Sequence, residues 1–219
     1  MRSSIILTVL TISGTAHAET LSTGSWAHIE ATVLHDLDDN ALAPNQIAFV
    51  GLRGNSFFGA GPAYHVGFDV SVGATIGDGG FYYQGAILPL GLALGALGDG
   101  NGVAISTGFA MSGATSTLDD AVALPLDLAF EMQMGDRARV IANLRGSFIA
   151  AADSRQGGSN IPGLDELDAK VAVRIGSGVA GRGGRISEGY FAGVAYREMF
   201  EDKYIGITLG FSGDSGVTY

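Results

Sequence analysis

Two short stretches of the sequence resemble motifs that perform chemistry. The first, Gly176-Ser177-Gly178-Val179-Ala180-Gly181, fits the glycine pattern of dinucleotide-binding turns, which direct a helix N-terminus at a pyrophosphate. The next residues, Arg182-Gly183-Gly184-Arg185, cannot begin an amphipathic helix. We therefore predict a glycine-rich turn here rather than a nucleotide site.

The second stretch, Gly213-Asp214-Ser215-Gly216, resembles the nucleophile motif of serine proteases. A catalytic triad also needs a histidine base and an acid that orients it. The histidines His28, His35 and His65 show no triad setting. We assign no catalytic residues, expect a protein that is not an enzyme, and predict that Ser215 lies in a tail or a turn.

Two further groups contain residue types that bind metal ions. Asp36, Asp38 and Asn40 place oxygen atoms at alternate positions, as calcium loops do, but the glycine and the distal glutamate of an EF-hand are missing. They predict a solvated turn, with weak cation binding as the alternative.

His28, Glu30 and His65 could converge as metal ligands or as an acid and a base. The alternative is hydrogen-bonded packing inside a narrow barrel, which we favour because paired polar side chains fill such interiors. We assign no metal site and no cofactor.

These residues must be positioned by β-strands, because apolar residues alternate with small or polar ones along much of the chain. From His65 to Ile76, the apolar residues fall on one face and the small or polar residues on the other. Segment 121–134 has an uninterrupted apolar face opposite two carboxylates, Asp127 and Glu131. A strand with lipid on one side and a polar interior on the other has this pattern.

Strand-like segments are separated by turn-rich pieces throughout the chain. They lie at 25–36, 46–54, 64–77, 81–95, 102–112, 121–134, 138–150, 166–176, 189–199 and 203–212. They predict an all-β fold, a closed antiparallel up-and-down transmembrane β-barrel of about ten strands. Eight or twelve strands are the alternatives, because boundaries read from sequence shift by about 2 to 4 residues.

The first residues have the features of an export signal. Arg2, the apolar stretch from Ile5 to Ile12 and the small residues around His17 predict a signal peptide of residues 1–18, cleaved before Glu19. Residues 19–219 then form a single barrel domain without cysteine. The absence of disulfides means that stability must come from a closed hydrogen-bonded sheet or an adequate core.

The net charge is −10, and Lys170 and Lys203 are the only lysines. Such a chain has no basic surface for nucleic acid, and we exclude that class of partner.

One hairpin can be aligned residue by residue. A loop of residues 135–137 keeps the apolar faces together only if Met134 lies opposite Ala138. Asp127 then lies opposite Arg145, and Glu131 lies near Arg139 or Asn143.

The predicted inner faces carry charged or polar residues of both signs. The residues we expect to face the lumen are Glu30, His65, Asp69, Asp127, Glu131, Arg139, Asn143, Arg145, Lys170, Arg174 and Arg197. Because a small barrel is barely wider than its side chains, a mutually paired set favours a plug over a pore.

The chain resembles the small outer-membrane β-barrels of Gram-negative-type envelopes. The resemblance rests on the predicted signal peptide, the alternating segments, the anionic mature chain without cysteine and the aromatic residue Tyr219. The resemblance concerns architecture and matches no functional family. It implies an outer-membrane location reached through a cleaved signal peptide, and contact with outer-membrane lipid. It also implies that the last strand, Lys203 to Ser212, is presented to the barrel-assembly machinery, with residues 213–219 following it.

We therefore expect an integral outer-membrane protein with a narrow, plugged lumen and a structural, adhesive or loop-binding role. Its binding loops would be the Asp-rich loop and the stretch from Ala151 to Leu164, because rigid scaffolds tend to place function on loops. One alternative is a small-solute channel with the same charge lining. The other is a soluble periplasmic or secreted β-sandwich binding module, in which the apolar faces pack against each other.

Overall fold

A computed structural model gives the fold of most of the chain. It describes residues 22–37, 45–59, 62–77, 79–96, 101–115, 119–135, 137–154, 163–181, 184–199 and 202–218. The predicted signal peptide, residues 1–18, lies outside the described residues. No helix in the described ranges is long and apolar enough to cross a membrane.

Ten antiparallel strands form one closed barrel, as predicted. The strands are β1 (Ser22–Asp36), β2 (Gln46–Gly59), β3 (Ala63–Thr75), β4 (Phe81–Ala96), β5 (Asn101–Ala114), β6 (Asp119–Met134), β7 (Ala138–Ser154), β8 (Gly163–Gly181), β9 (Gly184–Met199) and β10 (Asp202–Thr218). Each strand pairs with its neighbours in the sequence, and β1 also pairs with β10. The topology is therefore up-and-down, and the alternatives of eight or twelve strands are wrong.

The pairing of β1 with β10 closes the sheet along its whole height. The register runs from Ser22 opposite Thr218 to Asp36 opposite Tyr204. Closure gives every strand two hydrogen-bonded neighbours and leaves no sheet edge exposed. A β-sandwich needs two sheets packed face to face, so the single closed sheet overturns that alternative.

The apolar faces of the strands point outwards. On β10, Ile205, Ile207 and Leu209 are exposed, whereas Tyr204 and Thr208 are buried in the interior. Every strand contributes exposed large apolar residues to the outer wall. An apolar exterior around a polar interior is the arrangement of a transmembrane β-barrel, and it results from the side-chain period of two.

Several strands extend beyond the predicted segments, and this corrects the interpretation of Gly176–Gly181. These residues are not a turn, because β8 continues to Gly181 and β9 begins at Gly184. The glycines are needed where the two backbones meet. A Cβ on Gly176 would lie 2.0 Å from the carbonyl oxygen of Glu188, and one on Gly189 would lie 2.5 Å from that of Ile175.

The C-terminal strand is also longer than predicted. It continues through Gly213–Gly216 to Thr218, so Ser215 is a strand residue rather than part of a tail or turn. Its hydroxyl hydrogen-bonds with that of Ser25, with 3.1 Å between the two Oγ atoms. The predicted loop from Ala151 to Leu164 is likewise shorter, because its ends belong to β7 and β8. Residues 155–162 lie outside the described part of the chain.

Candidate functional site in the barrel interior

The hairpin of β6 and β7 has the predicted register. Met134 lies opposite Ala138, and Asp127 lies opposite Arg145. The side chains of Asp127 and Arg145 point into the barrel and are almost fully buried. Their ion pair joins Arg145 Nε to Asp127 Oδ2 at 3.1 Å.

Arg53 extends this pair into a cluster of five residues, Arg53, Asp69, Asp127, Asn143 and Arg145, which we call the central network. Arg53 Nη2 lies 2.5 Å from Asp127 Oδ1, and Arg53 Nη1 lies 3.3 Å from Asp69 Oδ2. Arg145 Nη2 lies 2.8 Å from Asp69 Oδ2. Asn143 accepts a hydrogen bond from Arg53 and donates one of 3.1 Å to Asp127. Two guanidinium groups and two carboxylates are thereby paired with each other.

The central network crosses the lumen rather than following the wall. Arg53 and Asp69 lie on β2 and β3, whereas Asp127 and Arg145 lie on β6 and β7. Along the wall, β4 and β5 separate the two pairs of strands. The inner faces of β4 and β5 carry the small buried side chains Ala86, Ala93, Ala104, Ser106 and Ala110, together with the larger Tyr82, Gln84 and Leu88.

A second network lies nearer the chain termini and joins β6, β7, β8 and β10. Arg139 Nη1 is 2.9 Å from Glu131 Oε1 and 2.7 Å from Asp214 Oδ2. Arg174 Nη1 is 2.6 Å from Asp214 Oδ1. Asp214 therefore holds two arginines of different strands.

Lys170 brings two of the three predicted metal ligands together. Its ammonium forms an ion pair with Glu30 and lies 3.1 Å from His28 Nε2. His65 is fully buried elsewhere, on β3. The ammonium already supplies a positive charge between His28 and Glu30, which disfavours a metal cation there. Within the described residues, no group of three or more His, Asp or Glu side chains is arranged to hold a metal ion.

Arg197, the remaining positively charged residue that we predicted to face the lumen, lies towards the end of the barrel opposite the termini. Arg197 Nη2 is 2.7 Å from Asp168 Oδ2, and its guanidinium carbon lies 4.5 Å from the centre of the Phe49 ring. In the same half, Ser112 donates a hydrogen bond to Glu166. Each predicted arginine and lysine of the lumen is thus found next to a carboxylate.

An apolar cluster lies at the barrel end opposite the termini. Its larger members are Leu34, Ile47, Phe49, Tyr82, Met199 and Tyr204, and each is at most 4% exposed. We call this cluster the apolar cap. Because strands alternate in direction, the ends of β1 and β9 and the beginnings of β2, β4 and β10 all meet at this level. The apolar cap and the central network therefore lie at different levels along the barrel axis.

One cavity inside the barrel lies beside the second network. Its volume is about 30 Å³, and Trp26, His28, Lys170, Arg174 and Asp214 contribute to its lining. That volume is large enough to hold a water molecule. This cavity is far smaller than the 300 to 1,000 Å³ that is typical of a pocket for an organic ligand. A larger pocket of about 630 Å³ is open to the outside and is lined in part by Trp26, Asn55 and Asp214.

The predicted cation loop is corrected at its first residue. Asp36 is the last residue of β1, and its side chain is buried at the barrel end rather than solvated in a turn. The strand continues this far because the backbone of Leu37 still bonds to Lys203 on β10. Asp38 and Asn40 lie outside the described residues.

Besides Asp36, sequence reasoning missed four charged residues in the described part of the interior: Arg53, Glu166, Asp168 and Asp214. The sequence of β2 did not indicate that Arg53 faces inwards, because this strand has apolar residues on both faces. Ile47 and Phe49 lie in the apolar cap, whereas Val50 and Leu52 lie on the outer wall. The register contains the missing signal: Arg53 lies opposite Asp69, and Asp168 lies opposite both Arg145 and Arg197. Asp214 was missed because the predicted last strand ends at Ser212, whereas the strand continues to Thr218.

No protein-family model and no curated protein matches this chain. Among solved structures, it is similar to the beta domain of the Bordetella autotransporter Brka, with 10% sequence identity, a TM-score of 0.43, and coverage of 90% of this chain and 99% of that chain. It is also similar to the Pseudomonas putida toluene transporter TodX, with 9% identity, a TM-score of 0.25, and coverage of 93% of this chain and 91% of that chain. The assignment of a closed barrel rests on this chain's own strand register.

Proposed function

We propose that this protein is an integral outer-membrane β-barrel with a closed lumen, and that its role is structural, adhesive or loop-binding rather than conductive. The mature domain would be residues 19–219, exported by a signal peptide of residues 1–18. The exposed apolar residues on all ten strands support a lipid-facing wall, because water would disfavour a surface so rich in Val, Leu, Ile and Phe.

The observation that carries the closed lumen is the pair of ion bridges through the barrel centre, Arg53 to Asp127 and Arg145 to Asp69. Each bridge joins strands that are not neighbours in the wall. A permeating solute would have to separate charges that are buried together, and leaving one of them unpaired costs several kcal/mol, typically about 3 to 5.

The connections between strands support a loop-binding role at the end opposite the termini. The connections 37–45 and 155–162 at that end are longer than 135–137 and 182–183 at the terminal end. Outer-membrane barrels have short periplasmic turns and longer extracellular loops. We place the long connections outside the cell and the two termini in the periplasm.

The terminal strand supports recognition by the barrel-assembly machinery. Ile205, Ile207, Leu209 and Phe211 form its outward face, and the strand continues to Thr218, next to the aromatic Tyr219. The partners we propose are therefore outer-membrane lipid and, during biogenesis, that machinery.

The test of this function is to refold residues 19–219 into lipid vesicles and to record currents in planar bilayers. We expect heat-modifiable gel migration, which reports a folded barrel, together with no conductance steps under conditions in which an open porin conducts. Conductance from the folded protein would overturn the closed lumen and favour the small-solute channel. Recovery of a monomer from an aqueous extract without detergent would overturn the membrane assignment.

A further inference from the structure

The outer wall has a polar notch where β10, β1 and β2 lie side by side near the barrel end that carries the termini. Ser25 on β1 lies opposite both Ser215 on β10 and Ser56 on β2. The three serines alternate with inward-facing residues along their strands, so they belong to the outer face. A Cβ on Gly213 of β10 would meet no atom within 4 Å, which shows open space beside them. These residues line the open pocket of about 630 Å³.

An apolar groove adjoins the polar notch on the side away from the termini. Its volume is about 740 Å³, and it extends over five neighbouring strands, β8, β9, β10, β1 and β2. Small side chains, those of Ala31 and Ala192, lie among larger ones in its lining. The larger outward-facing members are Ile29, Val50, Val173, Ile175, Tyr190, Leu209 and Phe211.

The notch and the groove follow one another in the same order along neighbouring strands. On β1, Ser25 lines the notch and Ile29 lines the groove. On β10, Ser215 lines the notch and Phe211 lines the groove. A membrane lipid likewise has its polar head at the surface and its chains towards the middle of the bilayer. Because we place the termini in the periplasm, the order matches a phospholipid of the periplasmic leaflet.

The charge at the edge of the notch favours a headgroup with a positive end. Glu188 on β9 lies opposite Gly213, is exposed, and contributes to the lining of the notch. Among the described residues that line the notch, none is a lysine or an arginine. An ammonium group would therefore find a counter-charge in Glu188, whereas an anionic headgroup would add a like charge.

The serine hydroxyls supply a donor for a phosphate. The Oγ atoms of Ser25 and Ser215 are 3.1 Å apart. Because each hydroxyl has one hydrogen and only one of them donates within the pair, the other hydroxyl can donate to a phosphate oxygen.

We propose that the polar notch and the apolar groove together bind one zwitterionic phospholipid with a primary-amine headgroup, of the phosphatidylethanolamine type. Its ammonium pairs with Glu188, its phosphate accepts a hydrogen bond from the serine pair, and an acyl chain lies in the groove. This inference rests on the membrane location given under the proposed function.

The first test measures lipid binding by native mass spectrometry of residues 19–219 refolded in detergent. Phosphatidylethanolamine and phosphatidylglycerol with identical acyl chains are the two probes. We expect one bound phosphatidylethanolamine, with an affinity roughly twofold to fivefold higher than that of phosphatidylglycerol, which is the gain expected from one exposed ion pair. Equal affinities, a preference for phosphatidylglycerol, or dimers of the protein without bound lipid would each overturn the proposal.

Two variants test the role of Glu188 in this preference. Glu188→Gln should abolish it, because the carboxylate charge is lost. Glu198→Gln is the matched control, because Glu198 lies at the other end of β9 and accepts a hydrogen bond from Tyr196. An unchanged preference in Glu188→Gln would contradict the assigned headgroup contact.

The second test fills the groove. Ala31→Leu should weaken the binding of both lipids, because the added side chain occupies space that the acyl chain needs. Ala150→Leu is the control, since Ala150 is exposed on β7, which does not line the groove. Equal lipid binding by the two variants would overturn the groove as the chain site.

The outcomes separate this inference from the proposed function. A heat-modifiable barrel that requires detergent and binds both lipids equally overturns the lipid site alone. A monomer that stays in water without detergent overturns the membrane location, and the lipid site with it.

Discussion

Arg53 on β2 and Asp127 on β6 form an ion pair across the lumen, with 2.5 Å between Nη2 and Oδ1 although 74 residues separate them in the chain. Asp127 also pairs with Arg145 at 3.1 Å. The carboxylate of Asp127 thus pairs both with Arg145, its neighbour in the β6–β7 hairpin, and with Arg53, which reaches it across the interior. Asp127 therefore links the β6–β7 hairpin to β2 through the barrel interior.

Replacing Arg145 with Leu should strongly destabilise the barrel. The substitution leaves Asp69 and Asp127 with one fewer cation in a buried site, and breaking a buried pair typically costs about 3 to 5 kcal/mol. Chemical denaturation in lipid vesicles can follow this loss through the fluorescence of Trp26, the single tryptophan, which stacks on His28 inside the barrel. Arg137→Leu is the control, because Arg137 is exposed beside the hairpin turn. Equal stability of the two variants would contradict a structural role for the pair.

If the lumen is closed as we propose, opening it should require two changes, one in the central network and one in the apolar cap. We expect no conductance from Arg53→Ala/Arg145→Ala, which leaves the cap, or from Tyr82→Ala/Tyr204→Ala, which leaves the network. We expect conductance steps when all four substitutions are combined. Planar-bilayer recording of heat-modifiable protein measures this outcome. Steady conductance from either double variant would show that the two barriers do not act independently.

Gly206→Ala should weaken the seam between β1 and β10. A Cβ on Gly206 would lie 1.8 Å from the carbonyl oxygen of Val33, so one of the two backbones must shift. Overpacking of this kind typically costs about 1 to 3 kcal/mol. Gly213→Ala is a matched control on the same strand, since a Cβ there has no atom within 4 Å. We expect a lower heat-modifiable fraction for Gly206→Ala alone, and equal fractions would refute the seam geometry.

Leu209→Lys should reduce insertion into lipid. Leu209 is 56% exposed midway along the outward face of β10, and a lysine at the bilayer midplane costs about 2 to 4 kcal/mol. Ser215 lies further along the same outward face, nearer the strand end. The cost of placing a lysine in lipid falls there to about 0 to 1 kcal/mol, so Ser215→Lys is the control. The yield of folding into vesicles measures the difference. A β-barrel wall in water would tolerate both substitutions equally, and that result would reject the lipid-facing assignment.

The sequence by itself determined the features that depend on neighbouring residues and adjacent strands. Alternation with a period of two identified the outer wall, as in Ile205, Ile207 and Leu209. The short connection between β6 and β7 set their register, because one residue of slip would move Met132 or Arg139 to the wrong face. The strand number followed from the same alternation, although the strand ends did not. Glycine and serine are residue types that are common in turns. Gly176 and Ser215 nevertheless lie in strands, because each is paired with a neighbouring strand.

Only the tertiary structure decided which charges meet inside the barrel. Arg53 and Asp127, or Arg139 and Asp214, lie on strands that do not touch along the wall, so their pairing depends on the closure and curvature of the whole sheet. Alternation tells which side chains face inwards, but it carries no information about distances across the lumen, because those are set by how ten strands close upon one another.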